Sequence, residues 1–161
     1  MSQKILMWTL VGTWPAAENS KGETKLKIKL DADAIMPTRA HETDAGLDLY
    51  ATKDQIVPAR GSAIFDTGVH IVLPPFTAGF VVSKSGLNFN HDIQNDGLID
   101  IDYRGGIKIK LYNHGDTDYM VHRGDKISQL VVVDIHIPRL QLVDELDETE
   151  RGEGGFGSTG R

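Results

Sequence analysis

The chain has no cysteine among its 161 residues, so it forms neither disulfide bonds nor thiolate zinc sites. Its six histidines are scattered, without an i,i+2 or i,i+4 pair, and do not indicate a zinc site. Clusters of acidic residues are scarce as well. A Mg²⁺ ion would therefore have to arrive coordinated mainly by another group, such as phosphates.

Positive charge is also limited, because 17 lysines and arginines face 23 aspartates and glutamates, for a net charge of −6. This balance argues against stable nucleic-acid binding through a broad basic surface. An anionic small molecule needs only local positive charge and is not excluded.

Long hydrophobic runs are missing too. The apolar stretch "KILMWTLVGTW" (Lys4–Trp14) is interrupted by Gly12 and Thr13, lacks a clear cleavage site and is too short to span a membrane. We therefore predict no membrane association. We interpret residues 1–23 as an N-terminal extension, an added strand or arm packed on the domain or on a partner chain.

No window of helical length has a 3.6-residue period, and one short helix or turn fits near "SGLNFN". Segments typical of β-strands alternate instead with turn-forming residues. Many short strands at regular spacing predict one all-β domain, a sandwich, jelly roll or barrel. The predicted strands are Lys25–Leu30, Leu47–Ala51, Ala63–Leu73, Gly79–Ser83, Gly97–Tyr103, Ile107–Tyr112, Asp118–His122 and Ile127–Ile137.

The C-terminal segment "RGEGGFGSTGR" (Arg151–Arg161) has the glycine spacings of a dinucleotide fingerprint and of a P-loop. Neither applies, because the first opens a helix and the second continues with Lys and Ser or Thr. Flexible backbone N–H groups and Arg151 are nevertheless suited to phosphate oxygens. The alternative is a disordered tail without function.

Two internal segments carry further candidate chemistry. "SKSGL" (Ser83–Leu87) offers a cation, two hydroxyls and a glycine, as a phosphate contact or as an ordinary polar turn. "DGLIDIDYRGG" (Asp96–Gly106) places Asp100 and Asp102 on one face if its strand is regular. Such a carboxylate can act as a general base toward water, and the alternative is a solvent-exposed face with two charges.

In this order the segments resemble the five motifs of the trimeric dUTP pyrophosphatases (dUTPases), and the resemblance covers residues 24–161. The matching motifs are "DAGLDLYA" (Asp44–Ala51), "SKSGL", "DGLIDIDYRGGIKI" (Asp96–Ile109), "RGDKISQLVV" (Arg123–Val132) and "RGEGGFGSTG" (Arg151–Gly160). The resemblance implies a jelly-roll β-domain over residues 24–150, a flexible glycine-rich lid over residues 151–161, and a homotrimer with shared active sites.

The implied reaction is Mg²⁺-dependent hydrolysis of dUTP to dUMP and pyrophosphate, which keeps uracil out of DNA and supplies dUMP for dTMP synthesis. The enzyme would act inside the cell, in the cytoplasm, or in the host cell of a virus or phage. The ion would be held mainly by the substrate phosphates, without direct protein ligands. Two alternatives are a dCTP deaminase-type enzyme of the same fold, whose extra groups we cannot identify here, and a dUTPase-like regulatory binding protein.

The resemblance also implies individual roles in the third motif. Asp100 matches the general base that activates water, and Tyr103 matches the ring under the deoxyribose. The hairpin from about Gly97 to Lys108 matches the segment whose backbone pairs with uracil, with Leu98, Ile99 and Lys108 at contact positions. Gln94 or Asn95 matches a polar residue before this hairpin.

The remaining roles concern the phosphates and the base. Arg151 matches the γ-phosphate arginine, and Phe156 matches the ring that stacks on uracil. Asp48 matches a carboxylate near the site, with a role more structural than catalytic. Lys84 stands where the family usually has arginine, and lysine keeps the charge but loses the planar fork. The other implied phosphate contacts are Ser85, Gly86, Gln129, Gly157 and Ser158.

Overall fold

The structure, a computed structural model, describes residues 25–154. The predicted extension over residues 1–23 lies outside the described residues, as do Phe156, Gly157 and Ser158 of the predicted lid.

Within this range the chain forms eleven strands and one short helix. They are β1 (Lys27–Leu30), β2 (Gly46–Tyr50), β3 (Gln55–Val57), β4 (Ser62–Asp66), β5 (Val69–Val72), β6 (Thr77–Val82), α1 (Ser85–His91), β7 (Ile93–Gln94), β8 (Asp96–Ile99), β9 (Lys108–Asn113), β10 (Tyr119–Val121) and β11 (Lys126–Asp134).

The described strands pair antiparallel in four small sheets. The largest has the order β2-β11-β6-β8, and the others are β4-β9-β7, β1-β5 and β10-β3. The alternation of apolar and polar residues explains their packing: β4 buries Ala63 and Phe65, and its partner β9 buries Ile109 and Leu111. These side chains join those of the other strands in one hydrophobic core.

The all-β prediction is confirmed, and the predicted short helix is α1. The predicted strand Ala63–Leu73 is two strands, because Gly68 adopts φ 64° between β4 and β5. The helix ends at His91, and the following Asp92, in a left-handed conformation, caps it by donating its N–H to the Asn88 carbonyl. β3 and β7 were not predicted, and they have only three and two residues. The described residues include no helix long and apolar enough to cross a membrane.

Candidate functional site

A pocket of about 210 Å³ lies between strand β8 and the loop that leads into β9. It contains six of the predicted site residues, all from the third motif. Its lining consists of Gly97, Leu98, Ile99, Asp100, Tyr103 and Lys108, together with Val81, Asp96 and Ile107, which were not predicted. Val81 belongs to β6, and only the pairing of β6 with β8 reveals its place in the pocket.

The pocket needs a glycine at position 97. Gly97 lies opposite Val81 in the β6–β8 pair, and a Cβ atom on Gly97 would come within 2.7 Å of Val81 Cγ2. β8 is also the edge strand of its sheet. Its outward backbone N–H and C=O groups can therefore pair with a planar ligand edge that approaches along the strand.

Asp100 lies at the end of this edge strand. The expectation of a regular strand through Asp100 and Asp102 is wrong, because β8 ends at Ile99 and the Tyr103 N–H donates to the Asp100 carbonyl at 3.1 Å. The resulting turn places Asp100, but not Asp102, in the pocket lining. Within residues 25–154 the exposed Asp100 carboxylate forms no hydrogen bond or ion pair, so no described protein group occupies it.

The Tyr103 ring is fixed against its own turn. Its hydroxyl donates to the Gly106 carbonyl at 3.1 Å. A Cβ atom on Gly105 would lie 2.3 Å from the Tyr103 hydroxyl, so the ring can lie in this position only above a glycine. The ring is 44% exposed and presents part of its surface to the pocket.

A second cluster surrounds the carboxylate of Asp48, which is buried on β2. Its Oδ1 accepts hydrogen bonds from Lys84 Nζ at 2.9 Å and from Gln129 Nε2 at 3.2 Å. Its Oδ2 lies 2.7 Å from Lys126 Nζ. The structure thus brings together three predicted residues, Asp48, Lys84 and Gln129, and adds Lys126.

Lys126 was missed because it is three positions from Gln129, a spacing that puts two side chains on opposite faces of a regular strand. The pairing of β11 with β2 shifts register between Lys126 and Ser128. This β-bulge allows both Lys126 and Gln129 to reach the same carboxylate. A bulge leaves no clear mark in a single sequence.

The charges of this cluster set the pKa of Asp48. Burial of the carboxylate disfavours its ionised form, but the hydrogen bonds and positive charges of Lys126 and Lys84 outweigh burial, so the pKa of Asp48 lies below its ordinary value. The same contact raises the pKa of Lys126. Asp48 is therefore ionised at neutral pH and fixes the positions of both lysines.

The other predicted residues lie apart from the pocket lining. Ser85 and Gly86 are exposed in the first turn of α1, directly after Lys84. Asn95 is buried and donates from its side chain to Ser128 Oγ at 2.9 Å, whereas Gln94 is exposed on β7. Arg151 is exposed, with its Nε donating to the Gly154 carbonyl at 2.9 Å.

The described residues contain no group of three or more His, Asp or Glu side chains that could hold a metal ion. Both oxygens of Asp48 already bind lysine ammonium groups.

Comparison with known proteins gives one consistent family. A family model described as dUTPase matches residues 32–160. A deoxyuridine 5'-triphosphate nucleotidohydrolase from Arabidopsis thaliana is 46% identical over 133 residues, which cover 82% of this chain and 80% of that protein.

Solved structures agree with this match. The dUTPase of Staphylococcus bacteriophage 80alpha with dUpNHpp has a TM-score of 0.78 and 30% identity, covering 86% of this chain and all of that chain (100%). The dUTPase of phage phi11 of S. aureus, whose structure shows a coordinated structural Mg(II) ion, has a TM-score of 0.71 and 27% identity, with 76% and 98% covered.

The antiparallel sheets define an all-β protein of jelly-roll-like architecture, with a pocket beside an edge strand. The chain belongs to the dUTPase family, since the family model covers residues 32–160. The resemblance found in the five sequence motifs is thereby confirmed.

Proposed function

We propose that the protein hydrolyses dUTP to dUMP and pyrophosphate at the pocket beside β8. The observation that carries this proposal is the free carboxylate of Asp100 in the same pocket as the Tyr103 ring and the β8 edge. The family match and the nucleotidohydrolase relatives support it.

Base selection would come from the backbone of β8. Uracil would align with the outward N–H and C=O groups around Gly97, Leu98 and Ile99. A rigid backbone pattern rejects cytosine, because the exchanged donors and acceptors would leave buried groups unpaired. The sugar would pack on Tyr103, where close contact leaves no room for a 2′-hydroxyl.

The chemical step would be an in-line attack of water on the α-phosphorus. Asp100 would accept a proton from the water as its oxygen bonds to phosphorus, while the bond from phosphorus to the bridging oxygen breaks. Pyrophosphate leaves with that oxygen, and dUMP keeps the new one. A Mg²⁺ ion carried by the phosphates would supply charge neutralisation.

The triphosphate would be held by Lys84, Ser85, Gly86 and Gln129, and by Arg151 with Gly157 and Ser158 of the lid. Phe156 would stack on the base. Asp48 would position Lys84 and Gln129 without contacting the substrate. dUTP is an intracellular nucleotide, so the reaction would take place inside the cell.

We also propose that the active unit is a homotrimer with shared sites. After β11 the chain continues without a strand or helix to residue 150, and this segment exposes apolar side chains. Leu140 and Leu142 are each 98% exposed and Leu146 is 86% exposed. Leucines exposed to water do not stabilise the chain, whereas their burial against a neighbouring subunit would stabilise the assembly.

The trimer can be tested by sedimentation equilibrium. We expect the wild-type protein to sediment as three 17.7 kDa chains. Leu140→Ser combined with Leu142→Ser should shift it toward the monomer, because about 1.5–3 kcal/mol of burial is lost per leucine. Gln141→Ser, between them, serves as the control and should remain trimeric. A monomeric wild-type protein would contradict the proposal.

The activity can be tested with a panel of nucleotides in the presence of Mg²⁺. We expect pyrophosphate release from dUTP, and release from dCTP and UTP that is at least about 100-fold less efficient. dCTP would leave backbone hydrogen-bonding groups of β8 unpaired, and the 2′-hydroxyl of UTP would collide with Tyr103. dTTP should also react poorly. Ammonia release from dCTP would instead identify a deaminase, and no turnover of dUTP would refute the proposed function.

A further inference from the structure

The turn that carries Tyr103 is tied to strand β5 by the side chain of His70. His70 Nδ1 lies 2.8 Å from the Arg104 carbonyl oxygen, and Nε2 lies 3.1 Å from Asp31 Oδ2. A carbonyl only accepts, so Nδ1 must carry a proton. An ionised carboxylate also only accepts, so Nε2 must carry one as well. The two contacts together select the protonated, cationic ring.

Arg104 connects this ring to the position of Tyr103. Its guanidinium Nη1 donates to the carbonyls of Ile101 and Tyr103, each at 2.8 Å. The side chain of Arg104 therefore closes the turn internally, while its backbone carbonyl is bound by His70. The Ile107 N–H, at the far end of the turn, donates to the Val69 carbonyl at 2.8 Å.

The groups around His70 are charged on several elements. From β1, Lys29 lies opposite His70 in the strand pair and opposes its protonation, and Lys27 lines the same surface cleft. Asp31, after β1, favours protonation. At the end of β4, Asp66 is near the ring, since a Cβ atom built on Gly106 would lie 3.3 Å from Asp66 Oδ1 and 3.7 Å from His70 Nε2. The hydrogen bond to the Arg104 carbonyl, followed by that to Asp31, raises the pKa of His70 above its ordinary value.

We propose that His70 is a positioning residue whose protonated ring holds the turn from Asp100 to Gly106 against β5, and thereby sets how strictly Tyr103 rejects a ribose. This proposal rests on the proposed function, in which Tyr103 packs against the sugar. When His70 loses the Nε2 proton, a lone pair faces the Asp31 carboxylate. The resulting repulsion displaces the ring and loosens the turn.

The direction of the pH dependence follows from the protonated form. A raised pKa means that the contact is complete at acidic pH and is lost as the pH rises through the pKa of His70. The ratio of kcat/KM for dUTP to that for UTP should therefore fall with rising pH. Effects of pH on the chemical step cancel in this ratio, because both substrates use the same base.

His70→Asn tests the proposal, because Asn does not titrate and, although its amide nitrogen can replace Nδ1 as donor, it cannot also make the charged contact with Asp31 that keeps the ring in place. We expect its substrate ratio to be independent of pH and about tenfold below that of the wild-type protein at pH 6. The change in this ratio should come mainly from KM rather than from kcat. Asp31→Asn should lower the pH at which the dUTP-to-UTP ratio falls. His114→Asn, the same substitution at an exposed histidine outside the pocket, is the control and should keep the wild-type profile.

A second measurement needs no substrate. Imidazole ¹⁵N NMR should show both His70 nitrogens protonated at pH 6 and a His70 pKa above the ordinary value of 6.5, and the backbone amides of residues 101–106 should titrate together with His70. A wild-type pH profile in His70→Asn, a neutral His70 ring at pH 6, or backbone amides of residues 101–106 that do not titrate with His70 would each overturn the proposal. If neither nucleotide is hydrolysed, the proposed function fails, and the NMR titration alone decides whether His70 holds the turn.

Discussion

Asp100→Asn is expected to lower kcat for dUTP by about 10²–10⁴-fold, because the amide cannot accept the proton of the attacking water. Binding of the analogue dUpNHpp should stay measurable, since the side-chain shape is retained. The free energy of unfolding should change by less than about 0.5 kcal/mol, because the Asp100 carboxylate forms no hydrogen bond or ion pair within the described residues that the substitution would break.

Asp102→Asn is the matched control for this variant. It removes an equal charge two positions away, from an exposed residue that does not line the pocket. We expect near-normal turnover from it, measured by pyrophosphate release under the same conditions. If Asp100→Asn also turned over normally, Asp100 would have no part in the mechanism.

The second large effect is expected from Asp48→Asn, which removes the charge that holds two lysines. Because hydrogen bonds to charged groups contribute about 1.5–3 kcal/mol each and the lysines can move partly into water, we expect the free energy of unfolding at pH 7 to fall by about 2 kcal/mol. Lys84 and Gln129 would lose their positions. We expect kcat/KM for dUTP to fall by about 10²-fold as a result.

The stability effect has a defined pH dependence. The pKa of Asp48 is depressed in the folded protein, so its contribution is present above the ordinary value of 3.8 and is lost as the pH falls through the depressed value. Urea unfolding should therefore show the wild-type protein and Asp48→Asn converging in acid. Asp134→Asn, exposed at the end of β11, should match the wild-type protein throughout. A constant difference down to pH 2 would contradict the ion-pair explanation.

Local patterns in the sequence were sufficient for much of the fold. Alternation along segments such as "IKIKLY" predicts strands because a strand turns successive side chains to opposite faces, and the missing 3.6-residue period excludes a helical domain. The turn at Gly68 was missed because apolar alternation continues on both sides of it. Backbone conformation there depends on the docking of residue 107, which is 39 positions away and leaves no local signal.

The sequence by itself determined most of the strands, the helix near Ser85 and, through five motifs in order, the candidate residues. Only the tertiary structure decided which of them meet. Pairing of β8 with β6 brings Val81 under Gly97, and the bulge in β11 brings Lys126 to Asp48. The contact of His70 with Arg104 joins residues 34 positions apart. Such contacts depend on strand register and loop docking, which arise from the packing of the whole chain and not from any one segment.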